Sequence, residues 1–237
     1  AGGLSEKRRN SDMFSGNEIL KIAMRQSAAD MNCRPEDFLR GENVVVYSRP
    51  DGRARKYLSL PFACNLVSYG GNVVASVRPD LEEVVRDYIG RYPAVHCFET
   101  PNLHALDDAL RPKGLRVCFM AEYFLPDPSA LARPSCPYPI KLLKRGELDA
   151  LYLPEWSNAL CEKRRELDMT AAAAMDGDRI AGLAGASADC EEMWQIGVDV
   201  LPCYRRKGIA SALTAALAEE IFRRGKVPFY CAAWSNI

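Results

Sequence analysis

A chain of 237 residues in which 31 basic side chains cancel 31 acidic ones has no bulk charge to draw it to nucleic acid or an anionic membrane, so neither partner is expected. Hydrophobic residues at 48% and charged residues at 26% suit a folding globular chain, long for one compact domain and comfortable for two. No apolar run approaches the roughly 20 residues of a membrane-spanning helix, and the polar opening AGGLSEKRRNSDM lacks an apolar signal core, which reads as a cytoplasmic protein.

The nine cysteines are odd in number and never spaced C-x-x-C, so the chain suggests neither a disulfide framework nor a zinc ribbon. With His96 and His104 as the two histidines, no metal site is expected. Reduced, mostly buried thiols are the plain reading.

In chain order, residues 15–31 start on Ser15 and Gly16 and place Ile19, Ile22 and Ala23 on one face, an amphipathic helix. NVVVYSR and RKYLSLP read as a hairpin around Pro50, Asp51 and Gly52. NLVSYGGNVVASV is β-rich, and Pro79 then opens a helix carrying Leu81, Val84, Val85 and Tyr88. AVHCFE reads as strand. TPNLHALDDALRPKG has a Thr100 cap, a leucine stripe at 103, 106 and 110, and Gly114 as a stop, before LRVCFMAEYFL reads as strand.

PDPSALARPSCPYP, at residues 126–139, holds five prolines and marks a domain boundary. Beyond it Leu148 and Leu151 precede Pro154, and EWSNALCEKRREL reads as a helix carrying Trp156, Ala159, Leu160 and Leu167, with Trp156 as core. MTAAAAM and RIAGLAGAS flank Asp176, Gly177 and Asp178 as a hairpin. MWQIGVDV is a strand, residues 208–224 a helix with Ile209, Leu213, Leu217 and Ile221 at spacing four, and VPFYCAA a strand after the stop at Gly225. The closing WSNI looks like the entrance to one more helix, so a final helix and last strands are expected to be missing.

The halves show internal similarity. VHCFETPNL (95–103) over FYCAAWSNI (229–237) sets Cys97 on Cys231, Asn102 on Asn236 and Leu103 on Ile237 without gaps, with helices preceding both, so a structural duplication is expected. Where the second half has CYRRKGIAS between strand and helix, the first has RPD. A proline supplies no N–H, and without glycine the backbone cannot approach a phosphate, so the first half should not bind one.

In VLPCYRRKGIAS a strand runs through a glycine-containing loop into a helix, which gathers unpaired N–H groups and the positive end of the helix dipole. That combination favours phosphate. A basic surface turn whose charges are merely solvated is the bland alternative. The spacing is that of neither the P-loop nor the dinucleotide fingerprint.

Arg205-x-x-Gly208-x-Ala210, with Pro202 and Tyr204 ahead and Val198-x-Val200 before them, resembles the acyl-coenzyme A signature of the GNAT N-acetyltransferases. The resemblance covers roughly residues 140–237 and implies an α/β (α+β) fold: a mixed, mostly antiparallel central sheet flanked by helices. It implies a GNAT acetyltransferase domain over 138–237 behind a degenerate GNAT-like domain over 1–130. It further implies acetyl-CoA as cosubstrate, its pyrophosphate held by the amides of Arg206, Lys207, Gly208, Ile209, Ala210 and Ser211 behind Arg205. The edge at Val198 and Val200 would pair with the pantetheine, one N–H polarising the thioester. Asn236 matches an asparagine that often touches the coenzyme.

Direct transfer to a primary amine needs the amine neutral, and an alkylamine with a pKa near 10 is almost wholly protonated at neutral pH. Glu192, in phase with Trp194, Ile196 and Val198, is the candidate base; equally, Glu191 and Glu192 read as solvated strand-entry charges. A covalent route through Cys203 or Cys231 lacks a histidine in this half to activate a thiol. The acceptor is a small-molecule or peptide amine, and a homodimer is compatible with this reading. A non-catalytic CoA-binding or regulatory protein on the same fold is the rival reading.

Overall fold

The structure, a computed structural model, describes residues 14–132 and 134–234 and divides the chain into two compact units. One holds Lys21–Ala121 with residues 233–234, and the other Glu122–Ala232 with residues 14–20. Helix α1 (Gly16–Met31) begins in the second and runs into the first.

In the N-terminal unit strands β1 (Val44–Tyr47), β2 (Cys64–Val67) and β3 (Val74–Val77) lie in the order β1-β3-β2, β3 parallel to β1 and antiparallel to β2. The central strand is buried throughout because both its faces are covered. Val73, Ala75 and Val77 meet Leu81, with Val85, Tyr88 and Ile89 of α2 (Glu82–Arg91) and Leu106 and Leu110 of α3 (Thr100–Leu110). Val74 meets Met24, Ala28 and Met31 of α1 and Phe38. Period-two alternation thus serves two helical layers.

Several expectations for this half are corrected. RKYLSLP forms no strand, so there is no hairpin at residues 44–61: β1 takes its hydrogen bonds from β3, and the Arg55 N–H goes to the buried Asp30 carboxylate (2.9 Å). AVHCFE is a 3₁₀ turn, Ala94–His96, confined between Pro93 and α3, with Cys97 buried and its carbonyl accepting the Tyr88 hydroxyl at 2.7 Å. Residues 95–97 therefore do not stand as strand opposite the strand residues 229–231, as the aligned repeat requires. Thr100 is the first helical residue rather than a cap, and Glu99 precedes it without a capping side-chain bond. Of LRVCFMAEYFL only β4 (Ala121–Phe124) is strand.

The C-terminal unit is built on a sheet in the order β4-β9-β8-β7-β6-β5, with β5 (Ile140–Lys144), β6 (Asp168–Asp176), β7 (Arg179–Ser187), β8 (Met193–Val200) and β9 (Val227–Ala233). From β5 to β8 every pairing is antiparallel, and β8 with β9 is parallel, as a helical crossover demands. The β6–β7 turn is the expected one, with Gly177 at φ 59°.

Helix α4 (Ile209–Arg223) is that crossover. Leu213, Leu217 and Ile221 are fully buried against Ala172, Ala174, Ala184, Trp194 and Ile196, each such side chain contributing about 1.5–3 kcal/mol. Alanines on β6 and Gly182 on β7 bring the helix close: a Cβ on Gly182 would lie 3.0 Å from Ile209 Cγ2 and 3.1 Å from Val200 Cγ2. Gly225, at φ 71°, ends the crossover before β9.

The other face is covered without an α-helix, which corrects EWSNALCEKRREL. Its chain forms short 3₁₀ turns, among them Pro154–Trp156 and Glu162–Leu167, the latter kinked at Arg164. The reason is competition for N–H groups. Asp199 takes the amides of Asn158 and Ala159 (2.8 and 2.9 Å) and Asp168 that of Cys161 (3.0 Å), donors a helix would direct to carbonyls four residues back. Trp156 is buried, as expected, with Leu148, Leu160 and Leu183.

Candidate functional site

The β8–β9 ladder runs from Met193↔Val227 to Ile196↔Tyr230 and stops, although both strands continue. Alternation fixes what the freed edge offers. The Glu192 carbonyl accepts from Val227 N at 2.9 Å, and Leu201 N donates to Ala181 O on the opposite side at 3.1 Å. Even-numbered residues of β8 therefore turn their backbone groups toward β9, and past Ile196 these belong to Val198 and Val200. The Val200 carbonyl accepts Arg205 Nε at 3.1 Å. Val198 N–H, Val198 C=O and Val200 N–H are left along the gap.

From that edge the chain enters a 3₁₀ turn, Pro202–Tyr204, anchored by the buried Tyr204. Its hydroxyl donates to Asp176 Oδ2 at 2.8 Å, a bond that pushes the phenol up. The Tyr138 ring stands edge-on to that of Tyr204 at 5.4 Å. Lys207 Nζ lies 5.4 Å from the Tyr204 centroid and 5.9 Å from that of Tyr138, and donates to the Tyr138 hydroxyl at 3.5 Å. Arg205 and Lys207 are thus tied down. The exposed Arg206 side chain finds no hydrogen-bond or ionic partner among the described residues.

Two left-handed residues shape the backbone: Arg206 at φ 61° and Gly208, the N-cap of α4, at φ 76°. Left-handed residues beside right-handed ones turn successive N–H groups into a concavity suited to an anion. The amides of Arg206 to Ser211 donate to no acceptor among the described residues, and the first bond to return to the loop is Ala212 N to Gly208 O at 3.1 Å. No acidic residue stands in the first turn of α4, so its positive dipole end is uncompensated. Ala210 and Ser211 are exposed there, whereas Ile209 turns inward with 2% exposure.

Glu192 is exposed, one residue before β8 and six before Val198, roughly 20 Å along an extended strand. Asn236 lies outside the described residues. Among the described residues no cluster of metal-ligating side chains occurs, and no helix is long and apolar enough to cross a membrane. All nine cysteines are free, and burial pushes the Cys33 and Cys64 thiols up to about 12.

Asp199 and Asn158, which sequence reasoning passed over, stand beside the gap. Asp199, on the face of β8 opposite α4, accepts Asn158 N, Ala159 N and Asn158 Nδ2 at 2.8, 2.9 and 2.7 Å. The segment it holds lies on the cross-strand pair Gly185↔Gly197. A Cβ on Gly185 would be 1.9 Å from Ala159 O, and one on Gly197 1.9 Å from Asn158 O. Glycines in two adjacent strands were the available signal, since strand glycine often marks a close backbone approach.

The Acetyltransferase (GNAT) family matches residues 135–236. No curated protein matches the chain. Among solved structures it is similar to a GNAT-family protein of Novosphingobium aromaticivorans, at 22% identity over 44% of this chain and 49% of that one, TM-score 0.31. A GCN5-related N-acetyltransferase-like protein of Streptococcus suis shares 19% identity over 71% of this chain and 72% of its own, TM-score 0.42. A GNAT-family acetyltransferase of Colwellia psychrerythraea shares 13% over 77% and 75%, TM-score 0.41. The chain spans about half, 49%, of the Novosphingobium protein. The loop Arg205-x-x-Gly208-x-Ala210 lies within the residues, 135–236, that match the Acetyltransferase (GNAT) family.

Proposed function

We propose that the C-terminal domain binds acetyl-CoA and moves its acetyl group to a primary amine by direct attack. One observation carries the reading: a strand edge freed at Ile196 runs into a loop whose amides, Arg206 to Ser211, have no acceptor among the described residues. An elongated ligand with amides at one end and a pyrophosphate at the other suits that run of donors.

In this reading the Arg206–Ser211 amides hold the pyrophosphate, and Gly208 contributes the left-handed φ of 76° that shapes the loop. Val198 and Val200 hold the pantetheine amides as an added strand would. The neutral amine attacks the thioester carbonyl, an N–H of the β8 edge stabilises the oxyanion, and collapse expels the CoA thiolate. The amine's proton leaves to a carboxylate or water. Glu192, at its distance along the strand, serves only through a water relay.

Titration with acetyl-CoA by calorimetry, parent beside Gly208→Glu, tests the assignment. The substitution adds a negative charge to the loop, at a φ of 76° that L side chains rarely adopt. The parent should bind, and the variant should lose at least about 100-fold in affinity while keeping its circular dichroism. Equal binding by both would remove the loop from the site.

A further inference from the structure

The face of the gap away from α4 is walled by a segment that Asp199 holds in place. Gly197 is the first β8 residue beyond the last rung with β9, and the backbone of Asn158 rests directly on it. The same Asn158 gives Asp199 both its backbone N–H and its side-chain Nδ2, the latter to Oδ1 at 2.7 Å.

A carboxylate accepts only, so this contact fixes which end of the amide faces it. Nδ2 turns to Asp199, and Oδ1 is left as an oriented acceptor that meets no donor among the described residues, on an exposed residue at the mouth of the gap. The placement is rigid. Two cross-strand glycines admit the Asn158 and Ala159 carbonyls where any side chain would collide, and Asp168 secures the far end through Cys161 N at 3.0 Å and the Tyr152 hydroxyl at 3.1 Å.

We propose that Asn158 Oδ1 takes an N–H of the incoming amine and that Asp199 is the positioning residue that orients it. The proposal rests on the acetyl-transfer reading above. An oriented amide oxygen beside the thioester accepts from a neutral amine without adding charge, so it leaves the attacking lone pair free to turn toward the carbonyl carbon. Asp199 acts on the acceptor through Asn158, while the amides of the coenzyme loop are untouched by it.

The experiment compares the parent with Asp199→Asn and Asn158→Ala. Acetyl-CoA affinity is measured by calorimetry, and kcat and amine KM with three probe acceptors: spermidine, a lysine-containing peptide with a free N-terminus, and kanamycin. Both variants should raise the amine KM about 10-fold, the loss expected for one oriented hydrogen bond, with kcat changed less than about 3-fold and acetyl-CoA affinity less than about 2-fold. Asn158→Ala keeps both backbone bonds to Asp199 and so reads the amide oxygen even where Asp199→Asn disturbs folding. An unchanged amine KM in Asn158→Ala overturns the proposal, as does a parallel loss of acetyl-CoA affinity in both variants. A parent that binds acetyl-CoA but acetylates none of the three amines also overturns it, whereas a parent that fails to bind acetyl-CoA removes the transfer reading itself.

Discussion

The chain makes two strand-to-helix junctions of similar outline, β3 into α2 and β8 into α4, and uses their N–H groups in opposite ways. At the first, Arg78 adopts an extended φ of −69°, Pro79 has no N–H to offer, and Leu81 N is returned to Arg78 O at 2.9 Å. Asp80, Glu82 and Glu83 then supply carboxylates to the positive end of α2. The Arg78 guanidinium is spent on Asp80 Oδ1 and Oδ2. At the second there is no acid in the first turn, Gly208 is left-handed, and the amides are unspent. The first junction sets Arg78 among three carboxylates, whereas the second has Arg205, Arg206 and Lys207 and no acid in the first turn of its helix, so the two differ in charge. They differ as well in whether the first turn satisfies itself.

The strongest way to break this contrast is to give α4 what α2 already has. Ser211→Asp places a carboxylate among the amides of the second junction. It should lower acetyl-CoA affinity by about 100-fold or more, since two unit charges 4 Å apart near a protein surface interact by about 4 kcal/mol. The same carboxylate should leave the folded chain about 0.3–1 kcal/mol more stable through the helix dipole. Calorimetry and thermal unfolding read the two effects, and opposite signs are the expected result. If affinity is retained, the unspent first turn is not what binds.

Much of the second junction was legible in the sequence because its cause is local. Gly208 and the acid-free IAS run are visible as letters, and the spacing of Leu213, Leu217 and Ile221 gives the helix direction. The β6–β7 hairpin was legible for the same reason, through Asp176-Gly177-Asp178. What failed depended on distant partners. EWSNALCEKRREL has helical periodicity, but its N–H groups are taken by Asp199 and Asp168, and the former lies 40 residues from Ala159. RKYLSLP alternates like a strand, yet β1 pairs instead with a strand that is buried on both faces. In the site, Arg205 to Lys207 look alike as letters. Only the fold shows two of them tied down, one to Val200 O and the other to Tyr138.

Arg206 sharpens the contrast at a smaller scale, because it holds a left-handed φ of 61° where β3–α2 has only extended or right-handed backbone. A residue with a Cβ is disfavoured there by about 1–2 kcal/mol, a penalty glycine escapes while gaining freedom in the unfolded chain. Arg206→Gly should therefore stabilise the protein by about 0.5–1 kcal/mol in denaturant unfolding. It should also weaken acetyl-CoA binding about 3-fold by removing an exposed charge near the amides. A variant that is more stable and binds equally well would confine the loop's contribution to its backbone.

The smallest expected effect is a difference in acid response, and it follows from which junction carries carboxylates. The hydrogen bond from Arg78 holds the Asp80 carboxyl below its ordinary range, and those from Tyr47 and Arg86 do the same for Glu82. A carboxyl with a depressed folded pKa lends stability that is present above its unfolded value, near 4, and is lost as the pH falls through the lower folded value. The start of α2 should thus loosen as the pH drops from about 5 to 3. The start of α4, having no such carboxylate in its first turn, loses nothing by this route. Hydrogen-exchange protection factors, corrected for intrinsic rates, should fall at residues 84–88 and hold at residues 212–216. Asp80→Asn with Glu82→Gln should flatten the first response. Equal loss at both junctions would mean that first-turn charge is not what distinguishes them.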